Sequence, residues 1–92
     1  MKPPPLDPDV DDSAPSGPLL TAYDMEHSIT YLRIIDADAE GADWREVARI
    51  VLHLDPEGEF DRALQAFDSH LARARWMTRE GYPQLLRRGA PA

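Results

Sequence analysis

Asp43-Trp44-Arg45-Glu46-Val47-Ala48-Arg49-Ile50-Val51-Leu52 is the stretch whose reading decides how this chain folds. Its apolar residues fall at Trp44, Val47, Ala48, Val51 and Leu52, the i, i+3, i+4, i+7, i+8 pattern of one helix face. Asp43 is a suitable N-cap, and Glu46 three places later offers the second half of a capping box. The helix is expected to end near His53, because Asp55-Pro56-Glu57-Gly58 is turn chemistry: proline fixes φ and glycine permits positive φ.

Working outward, a first helix is expected from about Thr21 to Glu40. Met25, Ile29, Leu32 and Ile35 recur at spacings of four, three and three, with Tyr31 and Ile34 widening the stripe, and Gly41 supplies the stop. A third, longer helix is expected from about Glu59 to Glu80, burying Phe60, Ala63, Leu64, Phe67, Leu71 and Ala74. Gly81 should close it, and Pro83 should open a short last helical turn between Tyr82 and Arg88. No segment alternates with period two, so a sheet is not expected. The fold class is all-α, three helices in the manner of a helix-turn-helix, plus a short C-terminal helical turn.

Residues 1–17 read differently. Five prolines and four aspartates surround few large apolar groups, too little apolar surface to offset the entropy of ordering. They are expected to form a disordered arm, leaving residues 18–92 as one domain. The alternative is a short segment that orders on a partner through Leu6 and Val10. The chain has 92 residues and no cysteine, which excludes disulfides and thiolate zinc sites and suits a reducing cytoplasm. No apolar run approaches the ~20 residues that span a bilayer, and the N-terminus lacks the apolar core of a secretory signal. A cytoplasmic location is expected.

Catalytic chemistry finds little support. His27, His53 and His70 lie on separate segments without a ligand-like spacing and read as surface or boundary residues. Ser28, Ser69 and Thr78 lack the signature of an activated nucleophile. Asp36, Asp38, Glu40 and Asp43 do not follow a calcium-loop spacing and read as a solvated corner. Neither an enzyme nor a cofactor is expected.

Charge is more informative. The net charge is −7, against the cationic balance that drives phosphate binding. Residues 18–61 hold three arginines against eleven carboxylates, and residues 62–92 hold six arginines against two. A recognition helix enters the major groove with its N-terminal part. Here that part presents Glu57, Glu59 and Asp61 with a single arginine, Arg62, an acidic face that disfavours DNA. The basic groups collect at the far end of the long helix, where they also complement the helix dipole. Arg73, Arg75 and Arg79, with Trp76 and Tyr82, form the candidate partner-binding set, since arginine and aromatics are enriched at binding hot spots. The plainer alternative is that Trp76 and Tyr82 cap the bottom of a small core.

Two stretches carry a resemblance. Tyr31-Leu-Arg-Ile-Ile-Asp-Ala-Asp-Ala-Glu-Gly-Ala-Asp-Trp-Arg-Glu-Val-Ala-Arg-Ile50 resembles the leucine-rich helix and following Gly-Ala-Ser-Tyr-Arg-Glu-Ile-Ala type motif of the RovC-like DNA-binding domains. Ser69-His-Leu-Ala-Arg-Ala-Arg-Trp-Met-Thr-Arg-Glu-Gly-Tyr-Pro-Gln-Leu-Leu86 is similar to that family's closing basic helix, Gly-Tyr and Leu-Leu pair. The resemblance implies a helix-turn-helix with an extended turn, in regulators of integrative and conjugative elements. Some members are activators with an additional N-terminal domain and a basic DNA face; this chain lacks both features. That departure implies a stand-alone antiactivator. Its partner would be a transcriptional activator, held through an FseA-like N-terminal domain, or a TraR-like quorum-sensing regulator, with little or no affinity for DNA. The alternative is a sequence-specific DNA-binding transcriptional regulator.

Overall fold

The computed structural model describes residues 3–87. Its helices are α1 (Ala22–Glu26), α2 (Ser28–Ala39), α3 (Trp44–Ile50), α4 (Phe60–Trp76) and α5 (Tyr82–Arg87), with a π-helical turn, Met77–Gly81, joining α4 to α5. The described residues contain no strand, and the architecture is the small all-α helix-turn-helix class expected from the sequence. Helix α4 is the axis, packed against both α2 and α3.

The corner between α2 and α3 forms as its sequence dictates. Gly41 adopts φ 75°, and the Ala42 and Gly41 amides donate to the carbonyls of Ala37 and Asp38. That double closure needs the left-handed residue a glycine supplies. Asp43 caps α3 by accepting from the Arg45 amide. Val47, Ala48, Val51 and Leu52 are buried as their spacing requires, and they meet Ile34, Leu54, Ala63 and Ala66 in the larger core cluster.

Elsewhere the expected pattern needs correction. The first helix is two, broken at His27 (φ −103°, ψ 18°). Its buried face is not the Met25, Ile29, Leu32, Ile35 stripe, in which Met25 and Leu32 are exposed. The buried positions are Asp24, His27, Thr30, Tyr31 and Ile34, equally periodic but half polar and therefore invisible to an apolar count. The long helix is rotated similarly: Ala63, Ala66, His70, Arg73 and Ala74 face inward, while Phe60 is exposed.

Gly81 does not end the long helix. It is buried in the π turn, and a Cβ there would lie 2.5 Å from Met77 Sδ and 3.0 Å from the Trp76 ring. Its role is close approach. The chain continues into α5, with Pro83 in its first turn. Proline cannot donate to the carbonyl four residues back and crowds it, and a wider turn just before it relieves that conflict. The expected last helical turn is therefore present through Arg87; Arg88 lies outside the described residues.

Between the larger core cluster and a smaller one of Tyr31, Ala74 and Met77 sits a buried ion pair. Arg73 meets Asp24 side-on, Nε to Oδ1 at 2.9 Å and Nη2 to Oδ2 at 2.6 Å, with the two side chains 2% and 0% exposed. Asp24 also accepts from the Tyr31 hydroxyl, the Thr21 amide and the Thr21 hydroxyl. Arg73 donates onward to the carbonyls of Gly17 and Leu19 and lies over the Trp76 ring at 3.7 Å. Burial pushes the Asp24 carboxyl up, but Arg73, Thr21 and Tyr31 outweigh it and hold it below the ordinary carboxylate range. Both charges are thus fully paired, the condition under which a buried pair is tolerated.

Asp24→Ala strands the Arg73 guanidinium and is expected to cost about 3–5 kcal/mol in urea unfolding. Asp38→Ala, which removes only the exposed partner of Arg75, is expected to cost less than about 1 kcal/mol. Equal effects would show that the buried pair does not organise the fold.

Candidate functional site

Residues 3–17, expected from composition to be a disordered arm, lie extended across the helices in this structure. Asp12, Ser13, Ala14 and Gly17 meet Arg62, Gln65, Ser69 and Arg73 in order, through Arg62 Nε to Asp12 (2.6 Å), Gln65 to Ser13, the Ala14 amide to Ser69 Oγ (3.0 Å) and Arg73 to the Gly17 carbonyl. The two lengths agree. Five extended residues reach about 17 Å, and eleven helical residues rise about 16 Å. The arm is a strap running parallel to α4 along the flank of Arg62, Gln65, Ser69 and Arg73.

Upstream, the strap crosses α2 and the end of α3. Asp7 accepts from Arg33 at 2.9 Å and contacts His53 Nε2 at 2.9 Å, and Asp9 contacts His53 Nδ1 at 2.7 Å. Asp7 and Asp9 thus converge on the two ring nitrogens of His53. His53 takes φ 60°, a left-handed conformation that a non-glycine residue adopts at a cost. Val10 packs on the larger core cluster and Ala14 is buried, so the strap is held by apolar contacts as well as by charge.

Beneath it runs a polar relay. The Asp11 amide donates to the Tyr23 hydroxyl (3.0 Å), which lies 2.6 Å from His70 Nε2, while His70 Nδ1 lies 2.7 Å from the Ala66 carbonyl. A carbonyl can only accept, so Nδ1 carries the proton and Tyr23 donates to Nε2. Burial pushes the His70 imidazole below its ordinary range, more than the Ala66 carbonyl holds it up. Burial likewise pushes the Tyr23 hydroxyl up to about 12. His27 stacks on Tyr23 and reaches the Asp9 carbonyl. The expectation of surface or boundary histidines fails for His27 and His70, which are 4% and 0% exposed.

The five residues of the candidate partner-binding set do not share one surface. Arg73 is buried and its donors are engaged within the fold. Trp76 lies under it, lining a small cavity with Ala14, Pro15, Ser16, Ser69 and Ala72. Tyr82 packs on the smaller core cluster with its hydroxyl buried and, among the described residues, without a hydrogen-bond partner. Only Arg75 and Arg79 face outward, beside Ile35 and Thr78, and Arg75 is paired with Asp38 at 3.0 Å. Glu57, Glu59 and Asp61 are all exposed at the start of α4. Glu59 pairs with Arg62, which already holds Asp12. The start of α4 is as acidic as the sequence implied.

Sequence reading missed the groups under the strap: Arg33, His53 and Arg62 as carboxylate partners, and Asp24 and His70 as buried polar groups. One signal was available. Thr21-x-x-Asp24 is a capping box ahead of a helix, and both of its reciprocal bonds form.

The two histidines titrate in opposite senses. Asp9 and then Asp7 hold His53 above its ordinary range despite partial burial. Its contribution to stability is complete below the unfolded value of 6.5 and is lost as pH rises through the raised folded value. His70 is depressed, so folding loses stability as pH falls below 6.5 towards its lowered value, because only the unfolded chain takes the proton there. Ring-proton NMR titrations should place His53 above and His70 below an unfolded reference. Asp9→Asn should lower the His53 midpoint and leave His70 unchanged; coincident midpoints would contradict these contacts.

Among the described residues, no helix is long and apolar enough to cross a membrane. No curated protein gives a significant match to the chain. Residues 9–87 match the RovC DNA-binding domain family, described as "T6SS, Transcription factor, DNA binding domain". The match begins inside the strap and ends with α5. It takes in the buried Asp24–Arg73 pair, the Gly41 corner and the closing Gly81-Tyr82-Pro83 segment, and this chain belongs to the RovC-like family of DNA-binding domains.

Proposed function

We propose that this chain regulates transcription as a helix-turn-helix module that contacts DNA directly. The observation that carries the proposal is the family match over residues 9–87, on helices arranged as such a module requires. Helix α3 and the longer α4 pack together across the connection 51–59, leaving the start of α4 at the surface. The family description names transcription factors, which supports a role in transcriptional control. In this reading the recognition element is α4, and its groove-facing residues are those outside the buried stripe.

A second reading is favoured by the charge of that element. Glu57, Glu59 and Asp61 are exposed where phosphates would approach. A stand-alone antiactivator, like QseM of integrative and conjugative elements, has no need of DNA affinity. It would sequester a two-domain activator through that activator's FseA-like N-terminal domain, or a TraR-like quorum-sensing regulator. Arg75, Arg79 and the half-buried Ile35 between them offer it an outward basic and apolar contact.

The readings separate in one experiment with two arms. A labelled duplex from the cognate promoter region is titrated at about 50 and 200 mM salt, where a phosphate-driven complex loses orders of magnitude in affinity. In parallel, the isolated N-terminal domain of the cognate activator is titrated calorimetrically. Duplex binding with a steep salt slope supports the DNA reading. Binding to the domain alone supports the antiactivator and overturns it. The triple charge reversal of Glu57, Glu59 and Asp61 to Lys is expected to raise duplex affinity at least tenfold in the DNA reading, by adding phosphate contacts at the start of α4.

A further inference from the structure

We propose that the N-terminal strap is an intramolecular stand-in for a nucleic-acid backbone: its carboxylates occupy a polyanion site formed by Arg33, His53 and Arg62, and a DNA duplex must displace them to bind. The proposal rests on the DNA-contact reading above and adds to it a masked site and the element that masks it.

The pairing is specific. Arg33, His53 and Arg62 come from α2, the turn after α3 and the first turn of α4, three segments distant in sequence. Each is met by a strap aspartate: Asp7 on Arg33 and His53, Asp9 on His53, and Asp12 on Arg62. The carboxylates recur along one extended segment of at most about 17 Å between Asp7 and Asp12. Phosphates on a DNA strand recur at about 3.4 Å of rise, so this segment spans the reach of a few of them. Just beyond Asp12 the strap places Ser13 on Gln65 and the Ala14 amide on Ser69. Polar side chains of these types also bond phosphate and sugar oxygens.

The masking contacts are suited to exchange. Asp7, Asp9 and Asp12 are 58%, 93% and 59% exposed at their side chains, and exposed pairs of this kind are weak and screened by salt. The buried anchors lie further along the strap, at Ala14 and at the Gly17 and Leu19 carbonyls on Arg73. Residues 7–12 can therefore lift while residues 14–19 stay fixed to the core, giving up the Val10 apolar contact, the Asp11 amide bond to Tyr23 and the Asp9 carbonyl contact with His27. The net charge of −7 then overstates how unfavourable the α4 surface is to DNA, because the four aspartates of residues 7–12 leave it with the strap.

The test uses the full chain and a mixed-sequence 20-base-pair duplex, with anisotropy read across about 50–200 mM salt. The clip variant carries Asp7→Asn, Asp9→Asn and Asp12→Asn. The control carries Asp36→Asn, Glu40→Gln and Glu46→Gln, exposed carboxylates that take no part in the strap's ion pairs, with the same change in net charge. The clip variant is expected to bind at least tenfold tighter than wild type at about 50 mM salt. Its salt slope should be steeper by about 2 to 3, the signature of three added phosphate contacts; the control should show neither. Adding Arg33→Gln and Arg62→Gln to the clip variant should remove the gain. Hydrogen exchange at the Asp11 amide reports whether the strap lifts, independently of DNA.

Equal gains in clip and control variants would mean a general charge effect and overturn the masked site. A strap that stays protected in the clip variant would show that its carboxylates are not the clip, which also overturns it. Wild-type duplex binding unchanged by the clip variant would sink this inference and leave the DNA reading standing. If no variant binds any duplex although the strap has lifted, the DNA reading falls as well.

Discussion

The pairing of Asp24 with Arg73 is the contact on which the remaining structure depends. Two full charges lie inside a domain of fewer than a hundred residues, where an unpaired charge would be costly. Every neighbour is arranged to prevent that. Thr21 caps α1 and at the same time gives its amide and hydroxyl to Asp24. Tyr31 spends its hydroxyl on the same carboxylate, and Gly17 and Leu19 turn their carbonyls towards the guanidinium. One interaction thereby fixes the start of the helical domain, the last turn of α4 and the end of the strap. It also explains the break at His27, since α1 must present Asp24 to α4 while α2 follows the larger core.

That arrangement has consequences for the surface. Because Arg73 holds the strap at Gly17 and Leu19, the preceding residues are directed along α4 rather than into solvent. The acidic composition of the segment then acquires a location: its aspartates fall on Arg33, His53 and Arg62. The relay from Asp11 through Tyr23 to His70 joins the same segment to the buried layer. Strap, buried layer and α4 form one connected system.

The chain also reconciles two facts that point in different directions. It belongs to a family of DNA-binding domains, and it carries a net charge of −7. Helix-turn-helix geometry can serve either partner, because the shape that enters a groove can equally dock on a protein. Charge discriminates between them, and in this structure the cations Arg33 and Arg62, with His53, are paired with Asp7, Asp9 and Asp12 of the strap.

By itself the sequence determined the helical class, the Gly41 corner, α3 and its cap, the turn at Asp55–Gly58 and the acidic start of α4. Each depends on residues close together in the chain, where periodicity, capping and turn chemistry act directly. The tertiary structure decided which faces of α2 and α4 turn inward, because the buried positions Asp24, His27, Thr30, His70 and Arg73 are polar. A polar group is admitted to the interior only by a partner, and these partners lie up to 56 residues away. The same reason hid the strap. Its prolines and aspartates are too polar to bury by themselves, and what orders them is a set of cations and carbonyl-seeking side chains that only folding brings into line.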